Sequence, residues 1–393
     1  MADTYTTTTS ESWFSRIKSS FRGLVIGLIM LVISLPVLFF NEGRAVTTSK
    51  SLKEGAAAVV EVPISPIDPA NNGKLVHFTG MANTAATLKD STFGVEAKAL
   101  TLSRAVEMYQ WKETSKSTEK EKVGGGKETV TTYTYDKEWA SSPISSGSFK
   151  NKEGHTNPAS FPYKAETMAA KDVTVGDFKI PERVVSGLGG GKPITLEESA
   201  IAAAPGSMKP KLENGAFYYG ENPGSPQVGD MRVRFSSLAP TDLSVLAAQS
   251  GNTIAPYQTK AGRALETVET GSATAAEMFA NARKGNTILT WALRFGGWLL
   301  MFIGFTMLFK PLVMIGKVVP FIGSMIAAGT GLISFVLASV ISLVVVAIAW
   351  IVYRPLLGII LLAIAGALAV FALMKMKAAK TAAPGIARPA PAV

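Results

Sequence analysis

Long apolar runs and short alternating ones divide the chain between them. Residues 23–40 read GLVIGLIMLVISLPVLFF, about 18 positions without a charge. At about 1.5 Å per residue such a helix reaches about 27 Å, near the thickness of a hydrocarbon core. Pro36 is tolerable in a membrane helix, where neighbouring groups re-satisfy the freed carbonyl. A cleaved signal peptide would carry a shorter apolar region, and residues 1–22 precede this one. Within 1–22, Trp13, Phe14, Ile17 and Phe21 recur at helical spacing with Arg16, Lys18 and Arg22 between them. That pattern predicts a basic amphipathic helix in the headgroup layer on the cytoplasmic side. In the last quarter, Ile288–Phe309 is apolar except for Arg294, and Leu312–Tyr353 is broken by Lys317, Pro320 and several glycines. Leu356–Met374 is apolar throughout. These runs predict further transmembrane helices at 287–309, 327–353 and 355–374. An interfacial or re-entrant piece is expected at 310–326, and a disordered Ala- and Pro-rich cytoplasmic tail at 375–393.

Residues 41–286 form the hydrophilic body, and their pattern is mostly of strands. Lys74–Gly80 alternates and follows the turn Asn71-Asn72-Gly73. Val106–Thr114 and Thr129–Trp139 alternate with a period of two and predict a long hairpin. Its tip is expected to be mobile over the charged, glycine-containing stretch Ser115–Glu128. Leu243–Ala248 and Thr253–Thr259 predict a second hairpin around Ser250-Gly251-Asn252. Lys98–Val106 reads as partly helical, and Ala273–Lys284 as a helix feeding the second span. Gly73–Gly80 and Gly229–Ser236 echo one another, which suggests two similar β modules at about 55–180 and 210–270. The fold class is therefore an α+β membrane protein: four transmembrane helices and a large mainly-β extracytoplasmic domain between the first and second.

Charge supports that count. Arg16, Lys18 and Arg22, then Lys310 and Lys317, then Lys375, Lys377, Lys380 and Arg388 fall on one face if there are four crossings. The positive-inside rule then puts both termini in the cytoplasm. The chain is only 17 % charged, with a net charge of +10. Much of the positive excess flanks the spans, so nucleic acid is not an expected partner. The absence of cysteine excludes disulfides, thiolate metal sites and a cysteine nucleophile. Arg294 is a membrane-embedded charge, either snorkelling to the interface beside Trp291 and Trp298 or held in an ion pair.

The chemical motifs fail on inspection. Gly187–Lys192 lacks the first glycine of a phosphate loop and carries Pro193 where a hydroxyl is required. Gly124–Lys127 fails in the same way. No strained serine elbow accompanies His77 or His155. Glu107, Glu113 and Glu138 could pair across the long hairpin beside Tyr109, Trp111, Tyr133, Tyr135 and Trp139, as in a sugar site. A packed hairpin face with charges on its wet side is the plainer reading. No catalytic residue, metal ligand or cofactor is assigned, and an enzyme is not expected. The candidate functional surface comprises Glu107, Tyr109, Trp111, Glu138, Trp139, His155, Asn157, Asn222 and Asp230.

Several segments, taken in order, carry a resemblance. They are Asn41-Glu42-Gly43-Arg44-Ala45, Ser51–Gly55, Gly73–His77, Val106–Trp111, Glu138-Trp139, Gly154–Pro158, Tyr219–Pro223, Val228–Asp230 and Tyr353-Arg354-Pro355. Together they resemble the transmembrane protein 43 (LUMA) family. The resemblance implies four spans, a large lumenal or extracytoplasmic domain and both termini in the cytosol or nucleoplasm. It also implies self-association and organisation of nuclear envelope proteins such as lamins and emerin, in the endoplasmic reticulum and inner nuclear membrane. The threonine-rich start, glycine-rich inserts and Ala/Pro tail are of bacterial type. For a bacterial member the address would be the inner membrane, with the domain periplasmic.

The expected function is a multi-pass scaffold that self-associates and organises membrane complexes. Its expected partners are membrane lipids, further copies of itself and other membrane proteins. Gly329, Gly331, Gly358, Ala363 and Gly366 would allow close helix packing. The alternative is an extracytoplasmic enzyme or lipid- or ligand-binding protein with its site where domain and membrane join.

Overall fold

A computed structural model of the chain describes residues 3–318, 320–355 and 360. They fall into two compact units. A β-rich unit takes in Met1–Arg16, Thr48–Gly285 and Lys317–Phe321, and a helical unit takes in Ile17–Thr47, Asn286–Gly316 and the chain from Ile322 onward.

Three long helices account for the apolar runs among the described residues: α1 (Trp13–Ala58), α2 (Ala275–Gly316) and α3 (Pro320–Tyr353). The segment 1–22 is not one amphipathic element: residues 3–11 form a strand, and 13–22 run into the span 23–40 as a single helix. Ser12 caps α1 by accepting a hydrogen bond from Ser15 N–H, and the helix then continues through Pro36 without a break. The region 310–326 is likewise not a re-entrant piece. Residues 310–316 complete α2 through Pro311, and α3 begins at Pro320. Proline at a helix start lacks an N–H that would be unpaired there in any case. Three helices among the described residues are therefore long and apolar enough to cross a membrane: Trp13–Ala58, Ala275–Gly316 and Gly323–Tyr353. This corrects the expected count of four, and the orientation derived from four crossings goes with it. The span expected at 355–374 and the tail 375–393 lie outside the described residues, apart from positions 355 and 360.

Within the helical unit, glycines bring α1 and α2 together. A Cβ on Gly27 would lie 2.7 Å from the Gly304 carbonyl oxygen, and one on Gly304 would lie 2.9 Å from that of Gly27. Gly297 receives Leu38, whose Cδ2 would meet an added Cβ at 2.6 Å. The glycines expected to do this, Gly329 and Gly331, have nothing within 4 Å of an added Cβ among the described residues. Gly358, Ala363 and Gly366 are outside the described residues.

The β unit holds two large sheets. Their strands, in chain order, begin with β1 (Asp3–Glu11), β2 (Val60–Glu61), β3 (Leu75–Asn83), β4 (Thr101–Glu121) and β5 (Lys127–Ala140). β6 (Glu166–Ala169), β7 (Thr174–Val175), β8 (Phe178–Lys179), β9 (Lys192–Ile194) and β10 (Lys211–Glu213) follow. The last are β11 (Ala216–Tyr219), β12 (Met231–Leu238), β13 (Asp242–Ser250), β14 (Thr253–Ala255) and β15 (Thr267–Thr270). The eight-stranded sheet runs β1–β5–β4–β12–β11–β10, with β9 also on β12 and β6 also on β4. The seven-stranded sheet runs β15–β13–β14–β8–β7–β3–β2, and β3 also pairs with β13. That extra pairing closes a circuit of β13, β14, β8, β7 and β3 around Phe78, Val175, Phe178, Val245 and Ile254. Phe78 and Phe178 stack at 4.2 Å inside it. Their burial adds to the local driving force, at roughly 25 cal/mol per Å² of apolar surface. The outer face of β3 and β13 is covered by Leu52, Met278 and Phe279 against Leu75 and Leu246.

The two strand sets with similar sequences share both sheets, since β3 pairs β13 and β4 pairs β12. Lys98–Val106, read as partly helical, enters β4, because Leu102, Val106 and Met108 bury with a period of two. The hairpin is longer than expected, and only Lys122–Gly126 forms its tip. There Glu121 accepts from Arg16 at 2.6 and 3.0 Å and from Lys317 at 2.5 Å, and the Gly125 carbonyl accepts from Arg16 at 2.6 Å. Gly125 has φ +81°, and a Cβ on it would sit 2.4 Å from Trp13 Cδ1.

Candidate functional site

Strand alternation decides which of the predicted surface residues share a face. Leu102, Arg104, Val106, Met108 and Gln110 point into the unit, so Glu107, Tyr109, Trp111 and Glu113 point out. The register sets Trp139 beside Tyr109, Lys137 beside Trp111 and Tyr135 beside Glu113. Arg232 of β12 lies opposite Glu107, and Tyr218 of β11 lies opposite Arg232. Glu138 pairs with Gln110 and so belongs to the other face. The proposed carboxylate pair is therefore not assembled. Glu107 and Glu113 are six positions apart on one strand, about 20 Å at about 3.3 Å per residue.

Each of these acids has a partner. Glu107 accepts from Arg234 at 2.6 Å and from Arg232 at 3.2 Å. Glu138 binds Lys112 at 2.9 Å. Glu113 accepts from Tyr135 Oη and from Lys150 N–H, both at 2.6 Å. Burial, followed by that bond to Glu113, pushes the Tyr135 phenol up from its ordinary range.

Two patches result. In the first, Arg232 lies 3.8 Å above the Trp139 ring, which packs on Tyr109 at 5.2 Å and on Tyr218 at 6.2 Å. Tyr218 donates to Asp230 at 2.5 Å and to the Asn222 carbonyl at 3.1 Å. Burial, then Asp230, raises its phenol far above the ordinary value. Asn222 Oδ1 accepts from Gly224 N–H, so this residue shapes the turn before β12. The patch is an aromatic and cationic face without a free acid.

In the second, buried His155 stacks on Tyr135 at 4.0 Å and meets Trp111 edge-on at 4.7 Å. Its Nε2 bonds Asp3 of β1 at 3.0 Å, while Nδ1 is buried with no hydrogen-bond partner among the described residues. Asn157 works on the backbone: Oδ1 accepts from Trp111 N–H at 2.7 Å, and Nδ2 donates to the carbonyls of Trp111 and Ile144 at 2.8 and 3.1 Å. It pins the loop that carries His155 rather than facing a ligand. His77 is also structural, with Nδ1 on Glu61 at 2.6 Å and Nε2 on the Ala273 carbonyl at 3.0 Å. No group of three or more metal-ligating side chains occurs among the described residues.

The embedded charge resolves in favour of an ion pair. Arg294 donates from Nε and Nη2 to Glu42 at 2.6 and 2.9 Å. Glu42 is completely buried and also accepts from Trp350 Nε1 at 2.8 Å. Beside it, Asn41, Arg44, Asn286 and Thr290 form a second polar tie between α1 and α2. Glu42 was missed as a site residue because it follows the apolar run 23–40. The signal was there: an acid one residue past a span, with an unexplained arginine inside another.

The family model described as transmembrane protein 43 matches residues 108–355. Transmembrane protein 43 of Rattus norvegicus is 33 % identical over 356 residues, covering 88 % of each chain. The Homo sapiens protein is 31 % identical over 370 residues, 91 % of each. The Drosophila melanogaster homolog is 30 % identical over 354 residues, 87 % of this chain and 92 % of the relative. These relatives are animal proteins and lend no support to the bacterial origin and periplasmic address expected from composition. No solved structure matches significantly. With nearly the whole length aligned and the helices where the apolar runs require them, this chain belongs to the transmembrane protein 43 family of membrane proteins.

Proposed function

We propose that the chain is a membrane scaffold that self-associates and organises other membrane proteins in complexes. The observation that carries this reading is β1. This threonine-rich strand pairs with β5 along all of Asp3–Glu11 and stands at the edge of the eight-stranded sheet. Its other edge offers a row of backbone donors and acceptors for strand addition. The neighbouring face is rich in aromatics and arginine, the residue types that dominate binding surfaces. Its carboxylates are held by cations, by Tyr135 or, for Asp230, by Tyr218 and Gln227 N–H, an arrangement suited to recognition rather than proton transfer. Membrane lipids complete the expected set of partners. Light scattering of the full chain in mild detergent tests the reading. A stable multiple of the 41.5 kDa protomer is expected. A clean monomer at all concentrations overturns self-association.

One observation favours a second reading, a ligand site in the β unit: the buried, unpartnered Nδ1 of His155. Alanine at His155 would then abolish function while leaving assembly intact. Loss of assembly instead supports the scaffold.

A further inference from the structure

Side chains of three helices of the helical unit line an open cavity of about 470 Å³. Trp291, Phe295 and Trp298 line it from α2, Leu343 and Val346 from α3, and Leu38 from α1. Its size is within the range of sites for small organic ligands. The interior is apolar except for two serine hydroxyls, each already in a contact. Ser339 Oγ already accepts from Trp298 Nε1 at 3.1 Å, and the Ser342 hydroxyl contacts Met301 Sδ at 3.6 Å. A polar ligand would lose its hydration there without replacement, whereas an alkyl chain would not.

One end of the cavity is different. Arg294 and Trp350 both line it. Nε and Nη2 of Arg294 are taken by Glu42, and Nη1 makes no hydrogen bond among the described residues. Arg354 adds a second guanidinium, 5.9 Å from the Trp350 ring, while that of Arg294 lies 5.8 Å from the same ring. Two cations face one carboxylate, so the end has a net positive charge and a donor to give. Tryptophan and arginine together at a span's end are typical of the interface between headgroups and acyl chains.

We propose that this cavity is a phospholipid site. One acyl chain lies against Trp298, Phe295 and Val346, and the phosphate bonds Nη1 of Arg294 with support from Arg354. A guanidinium with a free N–H suits a phosphate oxygen. The membrane supplies the ligand, and the site is distinct from the β-sheet face argued above to bind proteins.

Native mass spectrometry of the full chain in mild detergent, titrated with dioleoyl phosphatidylglycerol, tests the proposal. The expected result is one saturable adduct per chain. Dioleoylglycerol, which has the chains without the phosphate, should bind at least ten-fold more weakly. Val346→Trp fills the cavity, keeps the Arg294–Glu42 pair and should weaken the phospholipid adduct at least ten-fold. Arg294→Gln should bring phosphatidylglycerol down to the affinity of dioleoylglycerol. Val346→Trp also guards against misreading a folding defect in Arg294→Gln, since its melting temperature should be close to that of the wild type. Equal binding of the two lipids, or an adduct unchanged in Val346→Trp, overturns the proposal.

Discussion

Glu42 and Arg294 offer the sharpest test of how the helical unit is held. Replacing Arg294 by Met leaves a fully buried carboxylate with only Trp350 Nε1 as donor, where the guanidinium had supplied contacts at 2.6 and 2.9 Å. Replacing Glu42 by Leu leaves the guanidinium without its anion and the indole without its acceptor. Breaking a buried pair from one side costs about 3–5 kcal/mol, because the surviving charge has been removed from water without compensation. Removing both charges is different in kind. The desolvation penalty disappears together with the attraction, and apolar side chains of similar volume refill the space. The double variant should lie within about 1–2 kcal/mol of the wild type, the residue of that cost being the orphaned indole N–H. At about 2–4 °C per kcal/mol, each single variant should melt about 6–20 °C lower, and the double variant only a few degrees lower. Tryptophan fluorescence of the full chain in mild detergent follows the transition. Additive single effects would show that the two residues do not act as a pair, and the reasoning would fail.

Four other outcomes follow from particular contacts. Phe178→Ala empties the closed strand circuit of a fully buried ring stacked on Phe78, and should cost about 3–5 kcal/mol in urea unfolding. Asn157→Ala frees Trp111 N–H and two carbonyls, and should cost about 1–3 kcal/mol by the same measurement; an unchanged midpoint would mean that water replaces the amide fully. Gly27→Ala forces apart backbones that meet at Gly304, and should lower the melting temperature by the equivalent of about 1–3 kcal/mol, while Gly329→Ala, which meets nothing among the described residues, should not. The Arg16 bond, helped by Lys317, holds the Glu121 carboxyl below its ordinary range. Its stabilising effect is therefore complete above the usual glutamate pKa and disappears as the pH falls through the depressed one. Hydrogen exchange of residues 118–128, corrected for intrinsic rate, should accelerate on acidification, and Glu121→Gln should reproduce the acceleration at neutral pH. A variant that exchanges like the wild type would show that the tip is held by other contacts.

What could be read directly was whatever depends on local period. The apolar run 23–40, the alternation of Val106–Thr114 and Thr129–Trp139, and the turn at Gly251 each became the element their spacing demands. What could not be read depends on partners distant in sequence. Hydropathy could not tell that the amphipathic start and the first span are one helix, because polar residues within a helix lower an average without ending it. Nor could it show which glycines pack: Gly329 and Gly27 look alike until Gly304 is placed opposite one of them. The candidate surface divided for the same reason. Tyr109, Trp111 and Trp139 share a face because strand pleating and register put them there, while Glu138, one residue from Trp139, points the opposite way. Arg294 was conspicuous as a charge inside an apolar run, yet its meaning required Glu42, which is 252 positions away. An isolated charge in a span is ambiguous between snorkelling and pairing, and only the position of the opposite charge decides. Here the carboxylate is buried, and its indole donor Trp350 comes from a third helix. A polar cluster that draws on α1, α2 and α3 at once fixes how the three helices pack together, which apolar stripes alone, free to slide or rotate against one another, would not do.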